Sequence, residues 1–139
     1  MINKEYSYYV YILTNETNTV FYTGVTNDII RRIVEHKIKI HNSFSSKFNV
    51  TKLVYYEHFT DVHNAIEREK KLKKWNREWK WRLIRKANPG FRDLIYDFAS
   101  EKEIAELIDE MKKNILEDVL IDLKMKEKMG LHEELPKNK

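Results

Sequence analysis

The chain has 139 residues, of which 42% are hydrophobic and 35% charged, a balance typical of one globular domain with an appended segment. It contains no cysteine, which excludes disulfides, zinc-thiolate centres and thiol catalysis. No apolar run approaches the roughly 20 residues of a membrane span, and the N-terminus lacks a signal-peptide core, so we expect no membrane association and a cytoplasmic location.

The net charge of +4 is unevenly distributed along the chain. Residues 1–100 contain 18 Lys and Arg against 11 Asp and Glu, a net charge of +7, whereas residues 101–139 contain 8 against 11, a net charge of −3. A basic body attracts polyanions such as nucleic acids, although many basic proteins bind none. We expect residues 1–99 to form the main domain and residues 100–139 an amphipathic, acidic helical extension.

Two short segments begin the predicted order of elements. Residues 7–13 and 20–25 are rich in Tyr, Val, Ile and Phe, and the polar segment 14–19 separates them, which predicts a β-hairpin. If the turn is centred on the middle of that polar segment, Tyr11 and Tyr22 face each other across the two strands.

A helix and a further strand follow the hairpin. Gly24 precedes a run of helix-capping residues, and a strand-to-helix turn often needs a residue without a side chain there. Apolar spacing predicts a first helix from Asp28 to Ile40. Residues 42–49 are polar and predict a loop, and residues 53–59 predict a third strand.

The remainder of the chain is predicted to be helical. The predicted helices cover about residues 62–75, 79–87, 91–98 and 100–130. Pro89 ends the second of them, while Ser100 and Glu103 form a capping box at the start of the last. This order predicts an α+β fold, in which a small, mainly antiparallel three-stranded sheet is flanked by helices and followed by a C-terminal helical extension.

Glu69 is the most informative charged residue of the second predicted helix. It falls near the middle of the apolar stripe marked by Ala65 and Leu72, whereas Glu67 points away from that stripe. Burying an unpaired carboxylate costs on the order of several kcal/mol unless a metal ion, a basic partner or a solvent cleft compensates it. A structural ion pair and a functional site both satisfy this requirement, and the sequence leaves both open.

Arg32 and His36 provide a complementary pair on the first predicted helix. They lie four residues apart, so they share one helix face and can point at a single anion. Arginine offers a planar, permanently charged fork that matches phosphate oxygens. A solvated Arg–His surface pair is the structural alternative, and Tyr11 and Tyr22 taken singly are ordinary strand aromatics.

The order of these residues resembles that of the GIY-YIG nuclease family. The triplets Tyr9-Val10-Tyr11 and Tyr22-Thr23-Gly24 are similar to the two signature triplets, with tyrosine in place of the first glycine. Arg32 lies ten residues after the second tyrosine, as in the family, and His36 and Glu69 complete the set.

The segment 65–75 is similar to the glutamate-bearing helix of the small stand-alone bacterial members. Those members are related to the nuclease modules of a bacterial excision-repair enzyme and of homing endonucleases. Ser45, Lys47 and Asn88 also resemble residues of these small proteins. The resemblance covers about residues 7–97 and leaves the acidic extension outside.

This resemblance implies a metal-dependent DNA endonuclease, with DNA repair or recombination as its setting. It implies that Glu69 binds Mg²⁺ or Mn²⁺, and that Tyr11 activates the attacking water as a base or as a relay to one. Because tyrosine has a pKa near 10, Arg32 or the metal would have to lower it. Arg32 would stabilise the phosphate, Tyr22 would position water or phosphate, and His36 would bond the phosphate or shuttle a proton.

A basic, tryptophan-bearing segment is expected to contact the DNA backbone. Residues 67–86 contain ten Lys or Arg and three acidic residues, interleaved with Trp75, Trp79 and Trp81, which we expect to be core. Phosphate contacts of this kind give salt-dependent, largely sequence-independent affinity. The predicted contacts are Lys47, Arg68, Lys70, Lys71, Lys73, Lys74, Arg77 and Lys80.

Two other functions remain compatible with the sequence. The first is a non-catalytic nucleic-acid-binding module on the same scaffold, which the departure at Tyr9 favours. The second is an interaction role for the C-terminal helix. Its apolar stripe from Ile104 to Leu123 predicts a homo-oligomer or a protein partner, with packing on the domain itself as the alternative.

Overall fold

A three-stranded antiparallel sheet with the strand order β2-β1-β3 organises the fold. The computed structural model describes residues 6–38 and 47–130. The elements are β1 Tyr8–Thr14, β2 Phe21–Thr26, α1 Ile29–Ile38, β3 Lys52–Phe59, α2 Val62–Lys74, α3 Arg77–Ala87, a 3-10 helix Leu94–Asp97 and α4 Glu101–Lys128. The predicted α+β fold is confirmed. Ser45 and the predicted helix end at Ile40 lie outside the described residues.

The hairpin register differs from the prediction by two residues. Tyr11 pairs with Gly24 rather than with Tyr22. The connecting loop is organised by Asn15, whose side-chain oxygen accepts two backbone hydrogen bonds, and by Asn18, whose φ of 56° is left-handed. These two residues move the turn towards β2. Because the shift is even, both tyrosines still lie on the same face of the sheet.

Side-chain alternation along β1 divides the core into two faces. Tyr11 and Leu13 point to what we call the tyrosine face, where the core includes Ile33 of α1 and Ile104 of α4. Val10 and Ile12 point to the opposite face, which we call the α2 face. Val10 packs there with α2, and Ile12 packs with α3. The first and second helices therefore lie on opposite sides of the sheet.

Side-chain caps determine where three of the helices begin. Asp61, Asn76 and Ser100 each accept a hydrogen bond from a backbone N–H three residues further along the chain. The predicted capping box of Ser100 and Glu103 is present. Because Asn76 caps α3, this helix begins earlier than the sequence predicted. The predicted helix over residues 91–98 is reduced to a 3-10 helix.

The long helix α4 joins the domain only through its first turns. Ile104 is buried in the tyrosine-face core, and Leu107, Ile108 and Met111 are partly buried against it. The apolar residues beyond residue 114 are exposed. The domain boundary at residue 99 stays a prediction. In the part of the chain that the structure describes, no helix combines the length and the apolar content needed to cross a bilayer.

Gly24 lies inside β2, which corrects the prediction that it serves a strand-to-helix turn. Its position opposite Tyr11 explains the absence of a side chain, because the tyrosine ring folds across the glycine backbone. A Cβ at Gly24 would lie 2.5 Å from Tyr11 Cζ and closer still to the hydroxyl oxygen. The glycine is therefore required by the close approach of a neighbouring strand's side chain.

Gly24→Ala should destabilise the fold, because neither the backbone of β2 nor the buried ring of Tyr11 can move without loss of packing. We expect a loss of about 1–3 kcal/mol in the free energy of unfolding, measured by urea denaturation. Gly90→Ala is the matched control, since a Cβ there meets no atom within 4 Å. Equal stabilities of the two variants would contradict this account.

Candidate active site

Tyr11 is the buried centre of a polar cluster on the tyrosine face. Its side chain is 0% exposed. The hydroxyl oxygen accepts a hydrogen bond from Arg32 Nε at 3.3 Å and lies 3.1 Å from His36 Nε2. A buried hydroxyl costs free energy unless it is hydrogen-bonded, so this pair of partners satisfies the requirement that burial imposes.

Helix α1 places Arg32 and His36 on either side of the Tyr11 hydroxyl. The helix is anchored by Ile29 and Ile33, which are buried in the tyrosine-face core. Arg32 and His36 are one helical turn apart, so both reach the same point of the sheet. The prediction that they share a face is confirmed, whereas the alternative of a solvated pair is wrong, because His36 is buried.

Tyr22 completes the cluster from the edge strand β2. Its ring centroid lies 6.3 Å from that of Tyr11 and 5.2 Å from that of His36. Unlike Tyr11, Tyr22 is only half-buried. The structure thus brings four of the five predicted catalytic residues together, with Tyr11 in the interior and Tyr22 nearer to solvent.

The ionisation of Tyr11 differs from what the sequence suggested. Burial raises the pKa of Tyr11 to about 12, although the hydrogen bond from Arg32 opposes this shift. The predicted lowering effect of Arg32 is present, but it does not produce a net decrease in the pKa of Tyr11. The desolvation of a fully buried phenol outweighs one hydrogen bond from a guanidinium, and Tyr11 keeps its proton at neutral pH.

Arg32 connects the buried cluster to an open groove. Its side chain is 38% exposed, and Nη1 lies 3.5 Å from the Glu35 carboxylate. A groove of about 430 Å³ beside it is lined by Asp28, Arg31 and Glu35, among others. Glu35 also forms an ion pair with Arg31 at 3.2 Å. Sequence reasoning missed Glu35, although its spacing of three and four residues from two arginines was a usable signal.

Glu69 lies on the other side of the sheet from the tyrosines. It is 9% exposed and, as predicted, sits between Ala65 and Leu72 on the buried stripe of α2. Among the described residues, the partner of its carboxylate is Lys73 Nζ, at 2.6 Å. Glu69 therefore belongs to the helix that packs on the α2 face, whereas Tyr11, Arg32 and His36 meet on the tyrosine face.

Thr23 is a second polar group that sequence reasoning missed. It is buried on the α2 face, between Tyr22 and Gly24, and its hydroxyl has no hydrogen-bond partner among the described residues. No three or more His, Cys, Asp or Glu side chains converge as metal ligands within residues 6–38 and 47–130. Any metal on this side would therefore be held by few protein donors.

Tyr9 occupies the position at which the family triplet carries glycine, and it packs among other aromatic rings. Its ring centroid lies 5.5 Å from that of Phe98, 6.1 Å from that of Tyr56 and 5.1 Å from that of His58. The side chain thus fills part of the tyrosine face towards β3, away from β2. The departure at Tyr9 adds packing without entering the polar cluster.

Arg68, one of the predicted nucleic-acid contacts, and Asn88, which resembles a residue of the small family members, both have structural partners. The guanidinium of Arg68 binds the Glu57 carboxylate through two nitrogens at 3.0 Å. Asn88 is buried and its amide makes three hydrogen bonds to backbone atoms, including Val54 and Arg92. Arg68 thus joins α2 to β3, and Asn88 holds the turn after α3 against β3.

The other predicted basic residues are mostly exposed. Lys71 forms an exposed ion pair with Glu67, and Lys73 pairs with Glu69. Burial, and then the charge of Lys73, lowers the pKa of Lys80. The fully exposed members are Lys47, Lys70, Lys74 and Arg77.

The tryptophans of this segment do not all belong to the core. Trp81 is half-buried and packs on Phe91, with ring centroids 4.4 Å apart. Trp75 is also half-buried, and Arg68 stacks over its ring. Trp79, in contrast, is 53% exposed, so the prediction that it is a core residue is wrong. Its position on the first turn of α3 turns the ring outward.

The sheet, the paired tyrosines and the arginine-bearing helix define a class of catalytic domain. The chain belongs to the GIY-YIG family: the family model described as the GIY-YIG catalytic domain matches residues 7–82. A UPF0213 protein of Clostridium perfringens is 37% identical over 76 residues, which cover 55% of this chain and 81% of the relative. One from Natronomonas pharaonis is 32% identical over 77 residues, 55% of this chain and 89% of the relative.

One solved structure is also similar to this chain. It is the solution NMR structure of a UPF0213 protein from Bacillus halodurans, with 26% sequence identity and a TM-score of 0.42. The match covers 65% of this chain and 95% of that protein.

The raised pKa of Tyr11 predicts a loss of stability at alkaline pH. Its folded-state pKa of about 12 exceeds the ordinary value of 10.0, so the associated stability is fully present below pH 10 and is lost as the pH rises towards 12. Between about pH 8 and pH 11.5, the wild type should lose about 1–2 kcal/mol more unfolding free energy than Tyr11→Phe. Urea denaturation measures this difference. Tyr6→Phe, at an exposed tyrosine, should follow the wild type; parallel curves for wild type and Tyr11→Phe would refute the assignment.

Proposed function

We propose that this protein is a metal-dependent endonuclease that hydrolyses phosphodiester bonds in DNA, acting in repair or recombination in the cytoplasm. The observation that carries the proposal is the hydrogen-bonded cluster of Tyr11, Arg32 and His36, with Tyr22 beside it, in a chain of the GIY-YIG family. Arg32 links this cluster to the exposed groove lined by Asp28, Arg31 and Glu35, an arrangement that suits a phosphate substrate better than a purely structural role.

Arg32 is the proposed phosphate-binding residue. Its Nε is held by the Tyr11 hydroxyl, which fixes the guanidinium plane, while Nη1 lies 3.5 Å from Glu35, which lines the groove together with Arg32. A planar fork held in this way can bind two phosphate oxygens and stabilise the charge that develops on them during hydrolysis. Glu35 neutralises part of the arginine charge before the substrate arrives, and the phosphate would replace it.

His36 is the proposed hydrogen-bond donor to a phosphate oxygen, with Tyr11 as its positioning partner. The Tyr11 oxygen accepts from Arg32, and its own proton can be donated to His36 Nε2, 3.1 Å away, an arrangement that requires the imidazole tautomer with its proton on Nδ1. Tyr11 then fixes the imidazole rather than removing a proton itself. The half-buried Tyr22 is the hydroxyl that positions the attacking water or a phosphate oxygen.

Glu69 is the proposed ligand of Mg²⁺ or Mn²⁺. The α2 face carries the nearly buried carboxylate of Glu69 and the hydroxyl of Thr23, which has no hydrogen-bond partner among the described residues, and hard oxygen donors of this kind suit a cation that keeps several water ligands. When bound, the metal would supply neutralisation of the phosphate charge. The strand β2, which carries Tyr22 and Gly24, is at the edge of the sheet. Side chains from both faces of the sheet could therefore reach a phosphate bound at this edge.

Glu69→Gln should abolish cleavage while leaving the fold intact, because the amide retains the volume but lacks the charge that holds the cation. Wild type with Mg²⁺ or Mn²⁺ should nick supercoiled DNA, and the variant should be slower by roughly 100-fold or more. Glu67→Gln is the matched control on the same helix, since Glu67 is exposed and pairs with Lys71. Full activity of the Glu69 variant at unchanged melting temperature would refute the role of Glu69.

A non-catalytic DNA-binding module is the second candidate, and the ion pair of Glu69 with Lys73 favours it. In such a module the carboxylate keeps its lysine partner and no metal is needed. The same experiment separates the two functions. Salt-dependent binding without metal, together with no cleavage of duplex, branched or single-stranded DNA by wild type, would establish the binding module.

The exposed lysines of α2 should supply the electrostatic part of DNA affinity in either case. Lys74→Ala removes an exposed charge, and the slope of log affinity against log salt should fall by about one unit. Lys102→Ala, on the acidic extension, should leave the slope unchanged. Fluorescence anisotropy with a labelled duplex across a salt series measures both, and identical slopes for the two variants would exclude α2 from the interface.

A further inference from the structure

The apolar stripe of α4 changes direction along the helix. Its first part, Ile104 to Met111, packs on the domain. Its second part, which we call the distal stripe, consists of Leu116, Val119, Leu120 and Leu123, with exposed fractions of 59%, 48%, 48% and 53%. At about 100° per residue, the distal stripe lies about a third of a turn around the helix from the first part.

This rotation means that the domain covering the first part cannot also cover the distal stripe. The distal residues follow the spacing of three, four and seven residues by which one helix packs against another. Four large apolar side chains that are each about half exposed on one continuous face are also more than scattered surface hydrophobics. The distal stripe therefore has the pattern of a helix-pairing surface.

The charges that bound the distal stripe identify its partner. Lys112 lies on the same helix face just before the stripe, and Glu127 lies on that face just after it. The sequence of this face is symmetric about the midpoint between Val119 and Leu120 except for the sign of its end charges. Lys112 and Glu127 are equally distant from the midpoint, as are Leu116 and Leu123.

We propose that the distal stripe pairs with the distal stripe of a second copy of this chain, in antiparallel orientation. In that arrangement Leu116 of one copy packs against Leu123 of the second copy, and Val119 of one copy packs against Leu120 of the other. Lys112 of each chain then meets Glu127 of the other, twice per dimer. A parallel pair would place Lys112 against Lys112 and Glu127 against Glu127, which is unfavourable at both ends.

Neighbouring charges are compatible with the antiparallel pair. Glu117 and Lys124 lie on the same flank of the distal stripe. In the antiparallel pair, Glu117 of one copy therefore approaches Lys124 of the other. Lys126, which would lie near Lys112 of the second copy, forms an ion pair with Asp122 of its own helix at 3.2 Å. The positive charge on the opposite flank is thus partly neutralised within each chain.

The dimer should be of modest affinity. Residues 112–127 form a helical segment of roughly 24 Å at 1.5 Å per residue. Two such segments bury less than the about 1,600 Å² of a standard interface. We therefore expect a monomer–dimer equilibrium that shifts with concentration, rather than a permanent dimer.

The test is sedimentation equilibrium of the full chain over a concentration series, without DNA. As the concentration increases, the apparent mass of the wild type should rise from that of one chain, 16.9 kDa, towards twice that value. Lys112→Glu and Glu127→Lys should each weaken association by roughly 10-fold, because each places like charges at both ends of the pair. The double variant Lys112→Glu/Glu127→Lys should restore wild-type association, since it exchanges the two signs. Lys102→Glu, an equal charge change on the first turn of α4, is the control and should have no effect.

Two outcomes would overturn the proposal. A wild type that remains monomeric at the highest concentration would exclude self-pairing altogether. Association that the double variant fails to restore would exclude the antiparallel arrangement. Because mass is measured without DNA or metal, neither outcome depends on whether the protein is a nuclease.

Discussion

The approach of the Tyr11 ring to the Gly24 backbone is the constraint on which the candidate site depends. Tyr11 is on the central strand, and its ring can extend across β2 only because no Cβ stands there. This places the hydroxyl between Arg32 and His36, where burial requires hydrogen-bond partners. A glycine on one strand, a tyrosine on the next and one turn of a helix therefore specify a single polar cluster, and none of the three would suffice without the others.

Among the described residues the sheet has three strands. This small size limits where a site that uses groups from both faces of the sheet can lie. The tyrosines are on one face and Glu69 is on the helix that covers the other, so both sets of groups can serve one substrate only at the β2 edge. The Glu69–Lys73 ion pair does not prevent this use. Lys73 is 55% exposed, and exposed lysines contribute little to ion-pair stability, so a cation could replace it at small cost.

The elements and the residue types of the site were predictable from the sequence because they depend on local patterns. The caps of α2 and α4 are predictable features of this kind, and so is the shared helix face of Arg32 and His36. What could not be predicted depends on contacts between distant segments or on loop chemistry. The left-handed Asn18 set the hairpin register, and the Arg68 pair with Glu57 joins a helix to a strand eleven positions earlier. The sign of the Tyr11 pKa shift required knowing its burial.

The departure at Tyr9 is accommodated by aromatic packing on the tyrosine face. A tyrosine that holds other groups in place must be fixed and protonated, and burial favours both conditions for Tyr11. Tyr9 contributes to that surrounding by closing the tyrosine face with Phe98 and Tyr56. Tyr9 therefore adds packing to the tyrosine-face core without taking part in the polar cluster. The substitution is compatible with a positioning role for Tyr11, whereas a tyrosinate base would require the opposite environment.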